Sequence, residues 1–222
     1  MVRDRSFGEQ VWNACLIALM TLIAFSSLAP LIHTAAISLS NKAAAAGGFV
    51  TFWPIGINLE SYRKIIDDPN FWNAFMISVQ RVLLGGAINF LLTILMAYPL
   101  SRSPREFAKR HYYMWFVLFT MLFSGGMIPL YIVVKNLGLF NTLWALVLPG
   151  AVPVFNVVLL MNFFRNLPKE LNEAALIDGA GPWYMLVRIF VPLSLPSLAT
   201  VTLFSVVGHW NAFFDGLIFM RS

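Results

Sequence analysis

The residues of this sequence that could do covalent chemistry are few and scattered. His33, His111 and His209 are too dispersed to suggest a shared metal site, and no H-E-x-x-H run or cysteine pair offers one. Cys15 is alone, so it has no disulfide partner within the chain, and packing is its default role. A G-x-x-x-x-G-K-S/T phosphate loop is also lacking, so the chain itself is not expected to hydrolyse ATP, and no catalytic residue is assigned. What remains is hydrogen bonding and charge set inside apolar runs. Arg81 is the one charged residue well inside such a run, and Asn89, Asn156 and Asn162 are polar residues in similar surroundings. Thr202, Ser205 and His209 follow at three- and four-residue spacing and so share a helical face, with Trp210 and Asn211 next to them. Two uses are open for these groups. They could contact a polar solute, Arg81 an acidic or hydroxyl-rich one and Trp210 a stacked ring, or they could bond helix to helix and anchor an interface. Arg81, Asn156, His209, Trp210 and Asn211 are the candidate pathway residues.

A second group of residues points to docking. The stretch LPKELNEAALIDGAGPWYMLVRIFVP, residues 167–192, is a long polar insertion between apolar runs. Pro168 suits a first helical turn, and Leu171, Ala174, Ala175 and Asp178 recur on one face. Gly179 and Gly181 are placed to end that helix in a left-handed conformation, and Pro182 can open a second helix running to about Phe190. Met185, Leu186, Ile189 and Phe190 form its apolar stripe before Pro192 turns the chain away. The pattern alone fits either a connector lying on a membrane surface or a docking surface for a partner protein.

The elements that must hold these residues are membrane spans. Of 222 residues, 59% are hydrophobic and 11% charged, which excludes an ordinary soluble domain. Five apolar runs, at roughly 11–37, 73–100, 111–134, 143–164 and 190–214, reach the ~20 residues a bilayer needs. The fold expected is therefore an all-α integral membrane protein, a polytopic helix bundle, read as one transmembrane domain over 1–222 with a hairpin at about 167–190. The first run is too long for a signal peptide and lacks a convincing cleavage site.

Basic residues set the orientation. With the N-terminus inside, nine of them (Arg3, Arg5, Arg102, Arg105, Lys109, Arg110, Arg165, Lys169, Arg188) fall on the inner side and five (Lys42, Arg63, Lys64, Lys135, Arg221) on the outer side. The net charge of +5 is thus explained by topology and gives no reason to expect nucleic-acid binding. The longest outer connection, 38–72, reads as a flexible stretch at 43–48 followed by a short helix at 59–66 that ends before Pro69. The glycine pairs at 85–86 and 125–126 suit close helix packing.

Glu173-Ala174-Ala175, then Gly179, Ile189 and Pro192, resemble the EAA loop of permease subunits of ATP-binding-cassette importers. TFWPIGINLESYRKI, NFLLTILMAYPLSR, FSGGMIPLYIVVKNLGLFNTLWALVLPG and FSVVGHWNAFFDGLIF extend the resemblance from about residue 10 to the end of the chain. They are similar to the carbohydrate branch of that family, in particular to its LplC/YtcP-like permeases for oligosaccharides and uronic-acid-containing saccharides. The resemblance implies a type I importer fold in the bacterial cytoplasmic (inner) membrane, working by alternating access. It implies coupling residues at Leu171, Glu173, Ala174, Ala175, Asp178 and Gly179, seated in a groove of a separate ATPase. The consecutive alanines suit close backbone approach, Leu171 an apolar anchor, and Glu170 and Glu173 a charged rim. It also implies two ATPase subunits that bind ATP and Mg, a second permease subunit, an extracytoplasmic solute-binding protein and surrounding lipid. The family usually has six spans where five are visible here, so a shortened chain or a missing last part is expected. A self-sufficient secondary transporter of a small polar solute is the rival; it would more readily show paired broken helices and carboxylates within the spans. A membrane-embedded enzyme would need a convergent catalytic set, which is not found.

Overall fold

The computed structural model describes residues 7–220, and the side chain of Lys169 is left out of the description. Arg3, Arg5 and Arg221, used above to assign orientation, lie outside the described residues. The chain forms two compact units, Met1–Asn73 and Ala74–Ser222.

In the first unit, α1 (Phe7–Ser38) is long and apolar enough to cross a membrane by itself, and it runs through Pro30 without ending. Next comes α2 (Lys42–Ala46), a turn of helix where a flexible stretch is expected from Ala43–Gly48. The reason is the cap: Asn41 Oδ1 accepts the Ala44 N–H at 2.8 Å, which satisfies an otherwise orphaned donor. Ser40, buried, donates its hydroxyl to Ala36 O at 2.7 Å and accepts the Ile55 N–H at 3.0 Å, pinning the following loop back onto the end of α1. Helix α3 (Glu60–Ile66) lies where the sequence places it.

The second unit takes in α4 (Pro69–Ser101) from Ala74 onward. α4 is the other continuous helix long enough to span a membrane. The three remaining apolar runs are each broken, which corrects the expectation of straight spans. α5 (Arg110–Leu122) and α6 (Met127–Asn136) meet at 111°, because Phe123 turns extended and Gly126 takes φ +84°, a conformation open to glycine. α7 (Leu143–Val147) passes through a 3-10 turn, Leu148–Gly150, and meets α8 (Val154–Arg165) at 46° across a segment holding Pro149 and Pro153. Beyond α9 (Lys169–Ile177), α10 (Pro182–Met185) continues through a π turn, Leu186–Phe190, into α11 (Val191–Leu193). This arm meets α12 (Leu195–Asn211) at 84° around Ser194, between Pro192 and Pro196. A short α13 (Phe214–Phe219) follows. Counting each bent pair as one span, up to five helical units are long and apolar enough to cross a membrane.

Two apolar clusters hold the second unit. One joins Ile94, Ala97 and Tyr98 of α4 to Val117 of α5, Leu160 and Phe164 of α8, Ala175 of α9, Phe190 and Leu198. The other joins Val134 of α6, Ala145 and Leu146 of α7 and Phe219 of α13. The first cluster carries the hairpin, and beside the second lies the cavity described below.

Candidate functional site

The hairpin is built as two helices joined by a glycine turn. α9 ends at Asp178, whose N–H bonds back to Ala174 O at 3.0 Å; Ala180 N–H then reaches Ala175 O at 2.9 Å, a closure that needs a left-handed residue between them. Gly179 is that residue, at φ +74°. Gly181 is not, with φ −72° and ψ 164°; it is the extended residue before the second helix, and Pro182 occupies that helix's first turn. Pro168 likewise sits before α9 rather than within it.

The two alanines differ in exposure. Ala175 is only 8% exposed and packs into the unit's own core beside Met185 and Leu186, whereas Ala174 is exposed. Leu171, Glu173, Asp178 and Gly179 are exposed as well, together with Leu176 and Ile177, the latter 87% exposed. Leu171, Leu176 and Ile177 thus leave three large apolar side chains open on one short helix, the kind of exposure a docking partner would cover.

Asn172 and Glu106, which sequence reasoning missed, fix the hairpin in place together with Arg102. Asn172, one position before the Glu-Ala-Ala run, accepts from Arg102 through Oδ1 and donates from Nδ2 to Glu106 Oε1 at 3.3 Å. No periodic signal marks either, since the partners are 70 and 66 residues apart. For Glu106, burial raises its carboxyl pKa. Hydrogen bonds from the Ser103 N–H and hydroxyl, then from Asn172, and the Arg102 charge outweigh it, so the group is held below the ordinary carboxylate range.

The polar residues of the spans divide. Arg81, Asn156 and His209 line one cavity of about 490 Å³, within the range of ligand-sized sites. Asn89, Ser205 and Asp215 complete its polar lining. Trp210 and Asn211 do not line it: both are exposed, and Trp210 meets the edge of Phe75 at 6.2 Å between ring centroids. Adjacent helical positions point about 100° apart, so a run of neighbours such as 209–211 cannot share one wall.

Within the cavity, Arg81 is already engaged. Its guanidinium makes a two-pronged pair with the Asp215 carboxylate and also donates to Ala212 O at 3.1 Å and Leu146 O at 3.3 Å. Asp215 lies just past the last apolar run, a lone carboxylate in FFDGLIF, and that isolation was the available signal. Asn156 donates to Val201 O and to Ser205 Oγ, both at 3.1 Å. Asn89 has its amide within 3.1 Å of Gly85 O and 3.2 Å of Gly150 O and Ala151 O, three acceptors that assign its nitrogen to that side. His209 presses on Gly85 so closely that a Cβ there would stand 2.5 Å from its Nε2, while the same addition at Gly86 meets only Val206 at 3.7 Å. Gly85→Ala is therefore expected to destabilise the unit by about 1–3 kcal/mol through overpacking, and Gly86→Ala to be tolerated. Thermal unfolding of the two variants in detergent checks the contrast.

Comparison with known proteins follows the same lines. The family model described as "Binding-protein-dependent transport system inner membrane component" matches residues 89–220. The chain is 36% identical over 213 residues to the polygalacturonan/rhamnogalacturonan transport system permease protein YtcP of Bacillus subtilis, covering 96% of this chain and 74% of that protein. It is 38% identical over 212 residues to protein LplC of the same organism, covering 96% of this chain and 71% of that protein. A chain from a solved bacterial ABC transporter involved in the import of the acidic polysaccharide alginate superposes with TM-score 0.91 at 27% identity, over 100% of this chain and 78% of that one. Broken helices are thus no mark of a secondary carrier here. With its spans, its hairpin and these matches in agreement, the chain belongs to the family of inner-membrane components of binding-protein-dependent transport systems.

Proposed function

We propose that this subunit forms half of the membrane path of an ATP-driven importer for oligosaccharides, including those with uronic-acid units. Two separate ATPases would bind ATP and Mg, and a second permease subunit and an extracytoplasmic binding protein would complete the machine. The subunit itself is non-catalytic. In this reading Leu171, Glu173, Ala174, Asp178 and Gly179 meet the ATPase, Ala175 seats the hairpin on the bundle, and nucleotide-driven closure of the ATPases reorients the helices between inward- and outward-facing states. The single observation that carries the reading is the hairpin: a glycine-closed turn rigidly packed on the bundle through Ala175 while Ile177 projects uncovered. Its relatives' names, for polygalacturonan, rhamnogalacturonan and alginate import, support the choice of saccharide. Arg81, Asn156 and His209 are proposed to bound the solute path through the cavity they share, with Trp210 and Asn211 outside it at the end of α12.

Orientation decides whether an ATPase could reach the hairpin at all. The bonds between Asn172 and Arg102 and Glu106 hold the basic 102–110 loop and the hairpin on one side of the bundle, which supports placing both in the cytoplasm. After Cys15 is replaced, a membrane-impermeant thiol reagent applied from outside is expected to label Ser61→Cys and to leave Ser103→Cys unlabelled. The reverse pattern would overturn the orientation and the ATPase reading together.

A further inference from the structure

Arg102 stands just beyond the C-terminal end of α4, with its side chain only 11% exposed. Its guanidinium lies 4.3 Å from the centre of the Tyr98 ring and 4.4 Å from that of Phe190, and those two rings meet edge to face at 5.2 Å. A planar cation set over two aromatic rings is held both by its charge and by its shape. One end of the fork donates to the Tyr98 hydroxyl and the other to Asn172 Oδ1, while Glu106 Oε1 lies 3.7 Å away. Glu106 in turn accepts from the Ser103 N–H and hydroxyl, both at 2.8 Å, so the loop that carries it is closed on itself. At the loop's far end, buried Arg110 donates from Nε to Leu100 O at 2.7 Å, tying the start of α5 to the end of α4.

The Arg102 contacts gather three elements at one point, the end of α4, the first hairpin helix and the π turn of the second, and the Arg110 bond ties in the start of α5. The covalent chain leads from the hairpin only back into α8 and on through α11 into α12. We propose that Arg102 and Asn172 form a latch that passes movement of the hairpin sideways into α4, making them positioning residues for solute translocation. The significance of α4 is what it carries. Asn89 and Arg81, which line the cavity, lie 13 and 21 residues back along the chain from Arg102, so a shift at the latch reaches the cavity wall along about 20–30 Å of helix. Arginine suits the position and lysine does not, because a guanidinium can cover the ring faces with its plane while its separate nitrogens donate to Tyr98 and Asn172, and a compact ammonium cannot span all of these.

The proposal rests on the reading of residues 167–190 as the ATPase-docking hairpin. Its test uses the complete transporter in proteoliposomes, with ATP hydrolysis and uptake of an acidic oligosaccharide measured on the same preparation. Arg102→Gln and Asn172→Ala are expected to lower uptake per ATP hydrolysed about tenfold, with assembly and hydrolysis kept within about twofold, the scale of a lost coupling between sites. Arg102→Lys should behave like Arg102→Gln. The double variant Asn172→Asp with Glu106→Gln rebuilds the bonds with exchanged charge and is expected to restore most of the lost uptake per ATP, whereas Asn172→Asp alone, facing Glu106, should not. An unchanged uptake-to-hydrolysis ratio in Arg102→Gln and Asn172→Ala would overturn the latch, and so would a fall in assembly that accounts for all of the lost uptake. ATPase copurification with Ala174→Glu separates the two ideas. If the ATPase still binds that variant, the docking reading fails; if it does not, an unchanged ratio in the latch variants counts against the latch alone.

Discussion

Arg81→Ala is expected to cost the subunit about 3 kcal/mol, because removing one partner of a largely buried ion pair leaves the other without compensation. The side chains of Arg81 and Asp215 are 7% and 30% exposed, so the pair is shielded from water but not sealed from it. The arginine also satisfies Ala212 O and Leu146 O, which would both lose a donor. The expected sign is a loss of monodisperse protein and a lower unfolding temperature in detergent. Asp215→Ala should cost at least as much, since it leaves the more deeply buried member of the pair, Arg81, without its counter-charge. Exchanging the two charges, Arg81→Asp with Asp215→Arg, should recover part of the loss if the pair holds α13 to α4. Should Arg81→Ala assemble at the wild-type level while uptake of an acidic oligosaccharide falls and Arg81→Lys restores part of it, the charge serves the solute and the ion pair is secondary.

In the hairpin, Ala174→Glu and Gly179→Leu should abolish uptake while the bundle still inserts, and Ala175→Glu should fail earlier. Gly179 holds φ +74°, where a leucine costs roughly 1–2 kcal/mol and distorts the closure between Ala175 and Ala180. Ala174 is exposed, so a glutamate there leaves the fold alone and changes only what can approach. Ala175 is packed within the core, so the same substitution one residue later buries a charge and should reduce the folded protein itself. Measuring folded yield beside uptake separates these outcomes.

The difference between neighbouring alanines shows where the sequence stops informing. Span positions and the hairpin's punctuation were legible because apolar run length and the placement of Pro182 and Gly179 act locally. The 111° break between α5 and α6 was not, because FSGG is short and apolar enough to pass for part of a span; what breaks the helix is the backbone of Phe123 and Gly126. Partners were less legible still. Asp215 lies 134 residues from Arg81, and no periodicity links such positions. A similar gap hid Asn172 from Arg102. At 209–211 adjacency in sequence does not carry over to the cavity wall, because a helix turns its neighbours apart, and of the three His209 alone lines it.

This subunit is expected to move a saccharide only when ATPases engage its hairpin. The most direct measurement is uptake of a labelled acidic oligosaccharide by proteoliposomes holding the binding protein, both permease subunits and the ATPases. Wild-type uptake should require ATP and should disappear when the ATPases are omitted or when Ala174→Glu prevents their docking. Uptake that proceeds without ATPases, driven by an ion gradient, would overturn the ATPase-driven reading and make the chain a carrier in its own right.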